Sequence, residues 1–154
     1  MKIAIVSDTH NNWMNFKKAI DWIKKQKIQL ILHCGDISSQ ETIDEARKYF
    51  DENNDIKFVK GNADYGLDLP DKMELNFNGK KIAFVHFPNI AKKLTQVGKY
   101  DLVFYGHTHR PWDEKVGETH MINPGELAGQ FYKPTFAVYD TATNNLELKV
   151  LEQL

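Results

Sequence analysis

The sequence predicts a mixed α/β fold in which two β-sheets pack on each other, and three observations support this prediction. The first sixty residues alternate strand, helix, strand, helix, strand, which indicates parallel strands joined by right-handed crossovers. The second half contains short strand-like segments joined by turns, which is typical of antiparallel pairing. The length of 154 residues, with 42% hydrophobic and 27% charged residues, is that of one ordinary globular domain, residues 1–154.

The first half of the chain carries three strand patterns and two helix patterns. The strand patterns are dense apolar runs at residues 2–6, 29–33 and 56–60. A helix is predicted over residues 12–26, where apolar side chains recur at helical spacing. Ser38 with Glu41 three residues later has the pattern of a capping box, which predicts the start of the second helix.

The second half begins with a predicted hairpin. Asn78-Gly79 separates strand-like residues 73–77 from 81–87, and this dipeptide is a strong hairpin signal. A short helix is predicted over residues 91–97, with Gly98 at its end. The remaining predicted strands are residues 102–105, 119–122, 135–140 and 146–151. We expect the last three to be antiparallel.

Composition and charge exclude several classes of function. The net charge is −1 with no clustered basic patch, so the sequence carries no footprint of nucleic-acid binding. Cys34 is the only cysteine, which excludes a disulfide framework and a cysteine-based zinc site. The chain shows no signal peptide and no apolar run of membrane-spanning length, so we expect a cytoplasmic protein that does not bind membranes.

Polar side chains of one kind follow five of the predicted strands. They are Asp8, His10, Asp36, Asn62, His86, His107 and His109. Ligands of open α/β sheets bind beyond the carboxyl ends of the strands, so these side chains are expected to meet at one rim. Residues two apart in extended backbone point the same way, so each of the pairs 8/10 and 107/109 is expected to face one site. Glycines at 35, 61 and 106 are expected to allow tight turns beside that site.

Imidazole, carboxylate and amide groups without thiolate are typical ligands of borderline divalent metals. Seven candidates are too many for one tetrahedral ion. They suit two ions that share a bridging carboxylate.

The motifs "DTH", "CGD", "GNAD", "VHF" and "GHTH", in this order between residues 8 and 109, resemble the calcineurin-like metallophosphoesterase superfamily and its small bacterial and archaeal phosphodiesterase branch. "NPG" at residues 123–125 resembles a further segment of the family. The resemblance implies a two-sheet sandwich flanked by helices, in four α/β/β/α layers. It also implies one ion held by Asp8, His10, Asp36 and His109 and a second held by Asp36, Asn62, His86 and His107, with Asp36 bridging.

The function implied by this resemblance is a binuclear metal-dependent phosphoesterase, in particular a phosphodiesterase, that acts on a small phosphoester. Its nucleophile would be a hydroxide bridging two ions on the order of 3.5–4 Å apart, with Asp36, Asn62 and His86 as the catalytic residues. Manganese is the favoured ion, and nickel, iron, cobalt and zinc tolerate the same ligands. The alternative is a catalytically weak or inactive metal-binding scaffold or regulatory protein. The oligomeric state stays open.

Three positions depart from the family pattern. Ala63 stands where many members carry a histidine that can assist the leaving group, although the small branch also tends to lack it. Phe87 follows the histidine of the fourth motif, where the family often has glycine. Glu126 follows Asn-Pro-Gly, where the family often has serine.

Several other polar residues have alternative interpretations. Asp64 is either a hydrogen-bond partner behind the metal ligands or a turn residue. Arg110 either contacts a phosphate or forms an exposed salt bridge. We expect structural roles for His33 and His120 and buried packing for Cys34.

Overall fold

The computed structural model describes all residues, 1–154, and contains three helices, ten strands and a C-terminal 3₁₀ turn. The helices are α1 (Trp13–Lys25), α2 (Gln40–Tyr49) and α3 (Pro88–Gln96). The strands are β1 (Lys2–Val6), β2 (Leu30–His33), β3 (Asp55–Phe58), β4 (Lys72–Phe77), β5 (Lys80–Val85), β6 (Leu102–Phe104), β7 (Trp112–Val116), β8 (Thr119–Asn123), β9 (Thr135–Asp140) and β10 (Asn145–Val150). The 3₁₀ turn is Leu151–Gln153.

The strands form two mixed five-stranded sheets, in the orders β10-β9-β1-β2-β3 and β4-β5-β6-β8-β7. In the first sheet β1, β2 and β3 are parallel, whereas β9 and β10 are antiparallel to their neighbours. In the second sheet β5, β6 and β8 are parallel. The predicted two-sheet α/β fold is therefore confirmed.

Three apolar layers hold these elements together. The strand β1 illustrates the arrangement, because its alternate side chains enter two different layers. Ala4 and Val6 pack with Phe16 and Ile20 of α1, whereas Ile3 and Ile5 pack between the two sheets. A third layer lies between the second sheet and α3, so the order of layers is α/β/β/α.

Helices α1 and α2 begin close to the predicted positions, with one correction for α2, whereas α3 begins at Pro88, three residues before the predicted 91. Asn12 caps α1 by accepting a hydrogen bond from the backbone N–H of Asn15. The cap of α2 is Ser39, whose side chain accepts from the backbone N–H of Thr42, and not Ser38 as predicted. Ser38 has a φ of 82°, and its backbone N–H donates to the Asp64 carboxylate. The helix therefore begins one residue later than predicted. No helix is long and apolar enough to span a membrane.

In the second half one strand was missed and one strand direction was wrong. Residues 112–116 form β7, an exposed edge strand with only Val116 partly buried, so no apolar alternation marks it. The strand β8 is antiparallel to β7 but parallel to β6, not antiparallel throughout. The reason is that β7 lies outside β8, so the chain turns twice before β8 returns beside β6.

Candidate metal centre

The seven candidate ligands follow strands of both sheets, and the structure brings them into two adjoining groups. In the first group one ligand atom from each of four side chains lies within 4.8 Å of all the others; these are Asp8, His10, Asp36 and His109. All but His10 are buried, and His10 is half-buried. Carboxylate and imidazole at these distances form a set that could hold a divalent ion.

The second group joins Asn62, His86 and His107. The Nε2 atom of His86 lies 2.9 Å from the Oδ1 atom of Asn62 and 3.3 Å from the Nδ1 atom of His107. The Nδ1 atom of His107 lies 3.0 Å from the same Asn62 oxygen. Asn62 and His107 are exposed, so this group opens to solvent.

Asp36 lies between the two groups. Its Oδ2 atom is 3.5 Å from the Nε2 atom of His10 and 3.4 Å from the Nε2 atom of His86. Its Oδ1 atom accepts a hydrogen bond of 2.7 Å from the backbone N–H of Ala63. Burial by itself raises the pKa of Asp36, but the contacts with His86 and Ala63 outweigh it and hold this pKa below its usual range. One ionised oxygen is thus fixed by the backbone and the other faces both groups.

Asp8 has the same division of roles between its two oxygens. The Oδ2 atom accepts hydrogen bonds from the Ser7 hydroxyl and from the backbone N–H of His107. The Oδ1 atom is buried without any hydrogen-bond partner and lies 3.3 Å from the Nε2 atom of His109. A buried carboxylate oxygen without a partner is costly, and a bound cation would remove that cost. This oxygen is the observation that best fits a metal ion here.

Backbone and side-chain acceptors fix the orientation of two imidazoles. The Nδ1 atom of His86 donates to the carbonyl of Cys34 at 2.7 Å, so its Nε2 atom carries the free lone pair. The Nδ1 atom of His109 faces a carboxylate oxygen of Glu126, so its Nε2 atom turns toward His10, 3.3 Å away. The Asp8 carboxylate, whose Oδ1 atom lies 3.8 Å from the Nε2 atom of His10, raises the pKa of His10. This negatively charged surrounding attracts a proton or a metal cation to the imidazoles.

The backbone at the site is left-handed, which corrects the expectation of extended pairs. The φ angles are 53° at Asp8, 46° at His10, 59° at Asp36, 72° at His107 and 64° at His109. The strands end at Val6 and Phe104, before the ligands begin. Such angles in residues other than glycine are uncommon and cluster at functional sites. The paired side chains therefore converge because of strained loops, and not because of strand alternation.

All three predicted glycines are needed for close approach, and at Gly35, where φ is 98°, a Cβ atom would collide with the His86 imidazole. A Cβ atom at Gly61 would collide with the Asp36 carboxylate, and one at Gly106 would collide with the Ser7 hydroxyl. A Cβ atom at Gly106 would also lie 2.6 Å from the Asp8 carboxylate, so the backbone passes too close to the carboxylates of Asp8 and Asp36 for a side chain to fit.

Asp64 lies directly behind the site, fully buried, and accepts three backbone hydrogen bonds. The donors are the N–H groups of Asp36 at 2.8 Å, Ser38 at 2.7 Å and Gly61 at 2.7 Å. Asp64 thus ties the loop after β2 to the loop after β3. It holds the backbone of Asp36 in place and is more than a turn residue.

We expect Asp64→Asn to destabilise the metal-free protein by about 1–3 kcal/mol, because the amide offers one acceptor oxygen for three buried N–H groups. The measurement is urea denaturation in the presence of a chelator. Asp68→Asn is the matched control, since Asp68 is exposed in the same loop. Equal unfolding midpoints for the two variants would contradict this role.

Glu126 is the residue of the site that sequence reasoning missed. It is fully buried, and its Oε1 atom accepts from the backbone N–H groups of Phe131 at 2.8 Å and Tyr132 at 3.3 Å, while Oε2 faces His109. The sequence signal was the acidic residue after Asn-Pro-Gly, directly beyond an apolar strand. A carboxylate behind a ligating histidine fixes its tautomer and orientation.

The remaining candidates lie outside the two groups. Arg110 is exposed, and its guanidinium lies 5.1 Å from the ring centre of Trp112 and forms no salt bridge. His33 is buried and hydrogen-bonds to Thr9, and burial lowers its pKa to about 3. His120 pairs with Asp113 on the edge of the second sheet. Cys34 is buried, and burial raises the pKa of its thiol.

Comparison with known proteins gives one consistent result. A sequence model of the calcineurin-like phosphoesterase superfamily domain matches residues 1–144. A phosphodiesterase of Methanocaldococcus jannaschii is 31% identical over 169 residues, which covers 99% of this chain and 100% of that relative.

Solved structures agree with the fold. The structure of an archaeal phosphodiesterase superposes with a TM-score of 0.87 at 29% identity, covering 97% of this chain and 99% of the other. Vps29 of Entamoeba histolytica in complex with zinc superposes with a TM-score of 0.73 at 17% identity, covering 97% of each chain. The second likeness supports the fold alone.

Proposed function

The chain belongs to the calcineurin-like phosphoesterase superfamily of hydrolases, and we propose that it is a phosphodiesterase with a centre for two divalent metal ions. The observation that carries the proposal is the position of Asp36, whose free oxygen faces His10 on one side and His86 on the other at nearly equal distances. Such a carboxylate can serve two ions at once, which is the arrangement of two-metal hydrolases.

We assign the two ions to the two groups of side chains. Asp8, His10, Asp36 and His109 would hold one ion, and Asp36, Asn62, His86 and His107 would hold the other. Bound there, divalent ions would lower the pKa of a water so that hydroxide is available near neutral pH, and would stabilise charge on the phosphoryl oxygens. Manganese is the first ion to test, followed by nickel, iron, cobalt and zinc.

Other residues of the protein orient the candidate metal ligands. The backbone N–H groups of Ala63 and His107 each hold one oxygen of a carboxylate, which leaves the other oxygen free for a ligand. The Cys34 carbonyl and Glu126 turn the Nε2 atoms of His86 and His109 inward. Cys34 is no candidate nucleophile, because it is buried and its pKa is raised.

A phosphodiester is the substrate class favoured by the relatives named above, and a small phosphoester fits an open site on short loops. The test is to strip the protein of metal, reload single divalent ions, and assay a panel of phosphomonoesters and phosphodiesters. We expect turnover of diesters that requires added ion. Metal binding without turnover of any ester would favour the scaffold alternative instead.

We expect Glu126→Gln to lower the affinity for one of the two ions by about 10–100-fold, because the charge and orientation behind His109 are lost. Calorimetric titration of manganese into the metal-free protein measures the affinity for each of the two ions. Glu118→Gln, in the exposed turn after β7, is the control. Unchanged affinity for both ions in Glu126→Gln would show that Glu126 serves only the loop at 131–132.

Because of Ala63, we also expect the rate of hydrolysis to depend strongly on the leaving group. A positioned general acid contributes about 10²–10⁴-fold to such reactions, and Ala63 offers only a methyl group. We therefore expect log kcat to fall steeply as the pKa of the leaving group rises in a series of aryl phosphodiesters. Ala63→His should flatten this slope if its imidazole reaches the leaving oxygen.

A shallow slope in the wild-type protein, with the chemical step shown to be rate-limiting, would mean that another group acts as the acid. Asp64 is a weak candidate for that role, because its carboxylate is already engaged by three backbone N–H groups.

A further inference from the structure

A cavity of about 530 Å³ opens between the start of α3, the loop after β6 and strand β7. We call it the loop pocket, and its lining includes Pro88, Thr108, Arg110, Trp112 and Tyr132. Its volume lies within the range of about 300–1,000 Å³ that is typical of small-molecule sites. Another cavity, of about 460 Å³, lies around Met1 and Lys27, at the opposite ends of the strands.

Three of the segments that line the loop pocket are linked to candidate metal ligands. Thr108 stands between His107 and His109 in the chain. Pro88 follows Phe87, whose ring centre is 5.1 Å from that of His107. The backbone N–H of Tyr132 donates to Glu126, which also holds His109. The lining of this pocket is therefore continuous in the chain with the loop that carries His107 and His109.

The walls of the loop pocket present aromatic faces to solvent. Trp112 and Tyr132 have large aromatic side chains, yet they are 46% and 48% exposed. The buried side chains of Tyr105 and Met121 also line the pocket. Exposed aromatic faces over an apolar base favour a flat ring that can stack, since ring pairs gain energy beyond the burial of area.

The charges of the loop pocket suit an anionic ligand with such a ring. The lining contains two cationic side chains, Arg110 and Lys92, and one carboxylate, Glu114, so its formal net charge is +1. The Arg110 guanidinium lies 5.1 Å from the ring centre of Trp112, within the distance of a cation–π contact.

We propose that the loop pocket binds a planar aromatic ester group of the substrate, stacked on Trp112, while the phosphate lies at the metal centre. This proposal rests on the proposed function and specifies that one ester group of the substrate is aromatic. It predicts that aromatic phosphoesters are preferred over saturated ones of the same size.

The test uses three non-hydrolysable ligands that share one phosphonate group: phenylphosphonate, cyclohexylphosphonate and methylphosphonate. Calorimetric titration into the manganese-loaded protein gives their dissociation constants. Methylphosphonate reports on the phosphate site, and the ratio of the phenyl to the cyclohexyl ligand reports on stacking. The proteins are the wild type, Trp112→Ala, Trp112→Phe, and Val97→Ala, which changes an exposed side chain beyond the end of α3 and outside the pocket.

We expect phenylphosphonate to bind the wild type more tightly than cyclohexylphosphonate. Trp112→Ala should weaken the phenyl ligand by about fivefold to a hundredfold, the range for loss of one stacked ring. Trp112→Phe should retain most of the preference, and Val97→Ala should retain all of it.

Equal affinities of phenyl and cyclohexyl ligands in the wild type, or an equal loss of both in Trp112→Ala, would overturn the pocket assignment. In that case binding of methylphosphonate would leave the proposed function standing. If no phosphonate binds the loaded protein, the phosphate site itself is absent and both proposals fail.

Discussion

Replacement of Asp36 by asparagine is expected to abolish phosphodiester hydrolysis and to reduce the metal content of the protein. Asparagine keeps the shape and can still accept the hydrogen bond from Ala63, but it removes the one charge that faces both histidine groups. Loss of metal-ion catalysis costs several kcal/mol of transition-state stabilisation, so we expect turnover to fall by on the order of a thousandfold or more.

Elemental analysis and steady-state kinetics of the same preparation measure this result. Asp44→Asn is the matched control, since Asp44 is exposed on α2 and away from the centre. Wild-type metal loading together with unchanged turnover in Asp36→Asn would show that Asp36 is not shared between two ions.

The second large effect is a division of labour between the two histidines of the loop after β6. His109 lies with Asp8 and His10, whereas His107 lies with Asn62 and His86. We expect His109→Ala to lose the ion of the first group and His107→Ala to lose the ion of the second. Each variant should also lose most of its activity, because the two-ion arrangement needs both members.

Crystals of each variant soaked in manganese show which ion remains. His120→Ala serves as the control. His120 pairs with Asp113 on the sheet edge, so this substitution removes an imidazole without changing the metal centre. Loss of the same ion in both variants would refute the assignment of ligands.

The fold could be predicted from the sequence wherever hydrophobic periodicity is strong. The buried strand β1 and the amphipathic helix α1 were both predicted within one or two residues of their observed bounds. The edge strand β7 was missed, because its exposed side chains carry no apolar pattern. The direction of β8 was also wrong, because it depends on the pairing of distant strands, which local sequence does not encode.

In the site, too, some features could be predicted from local sequence, whereas others depend on contacts between distant residues. The side chains predicted to meet do lie close together, because the carboxyl ends of parallel strands share one rim. The left-handed backbone at Asp8 and His107 was not predicted, since it is held by contacts such as the bond from His107 N–H to the Asp8 carboxylate across the two sheets. Glu126 was noted only as a departure, because its contact with His109 appears only once the loop after β8 is folded.

The central claim is that two ions share Asp36, and anomalous diffraction from a crystal of the manganese-loaded protein tests it most directly. We predict two anomalous peaks, one among Asp8, His10 and His109 and one among Asn62, His86 and His107, with the Oδ2 atom of Asp36 between them. A single peak, or two peaks of which only one contacts Asp36, would contradict it.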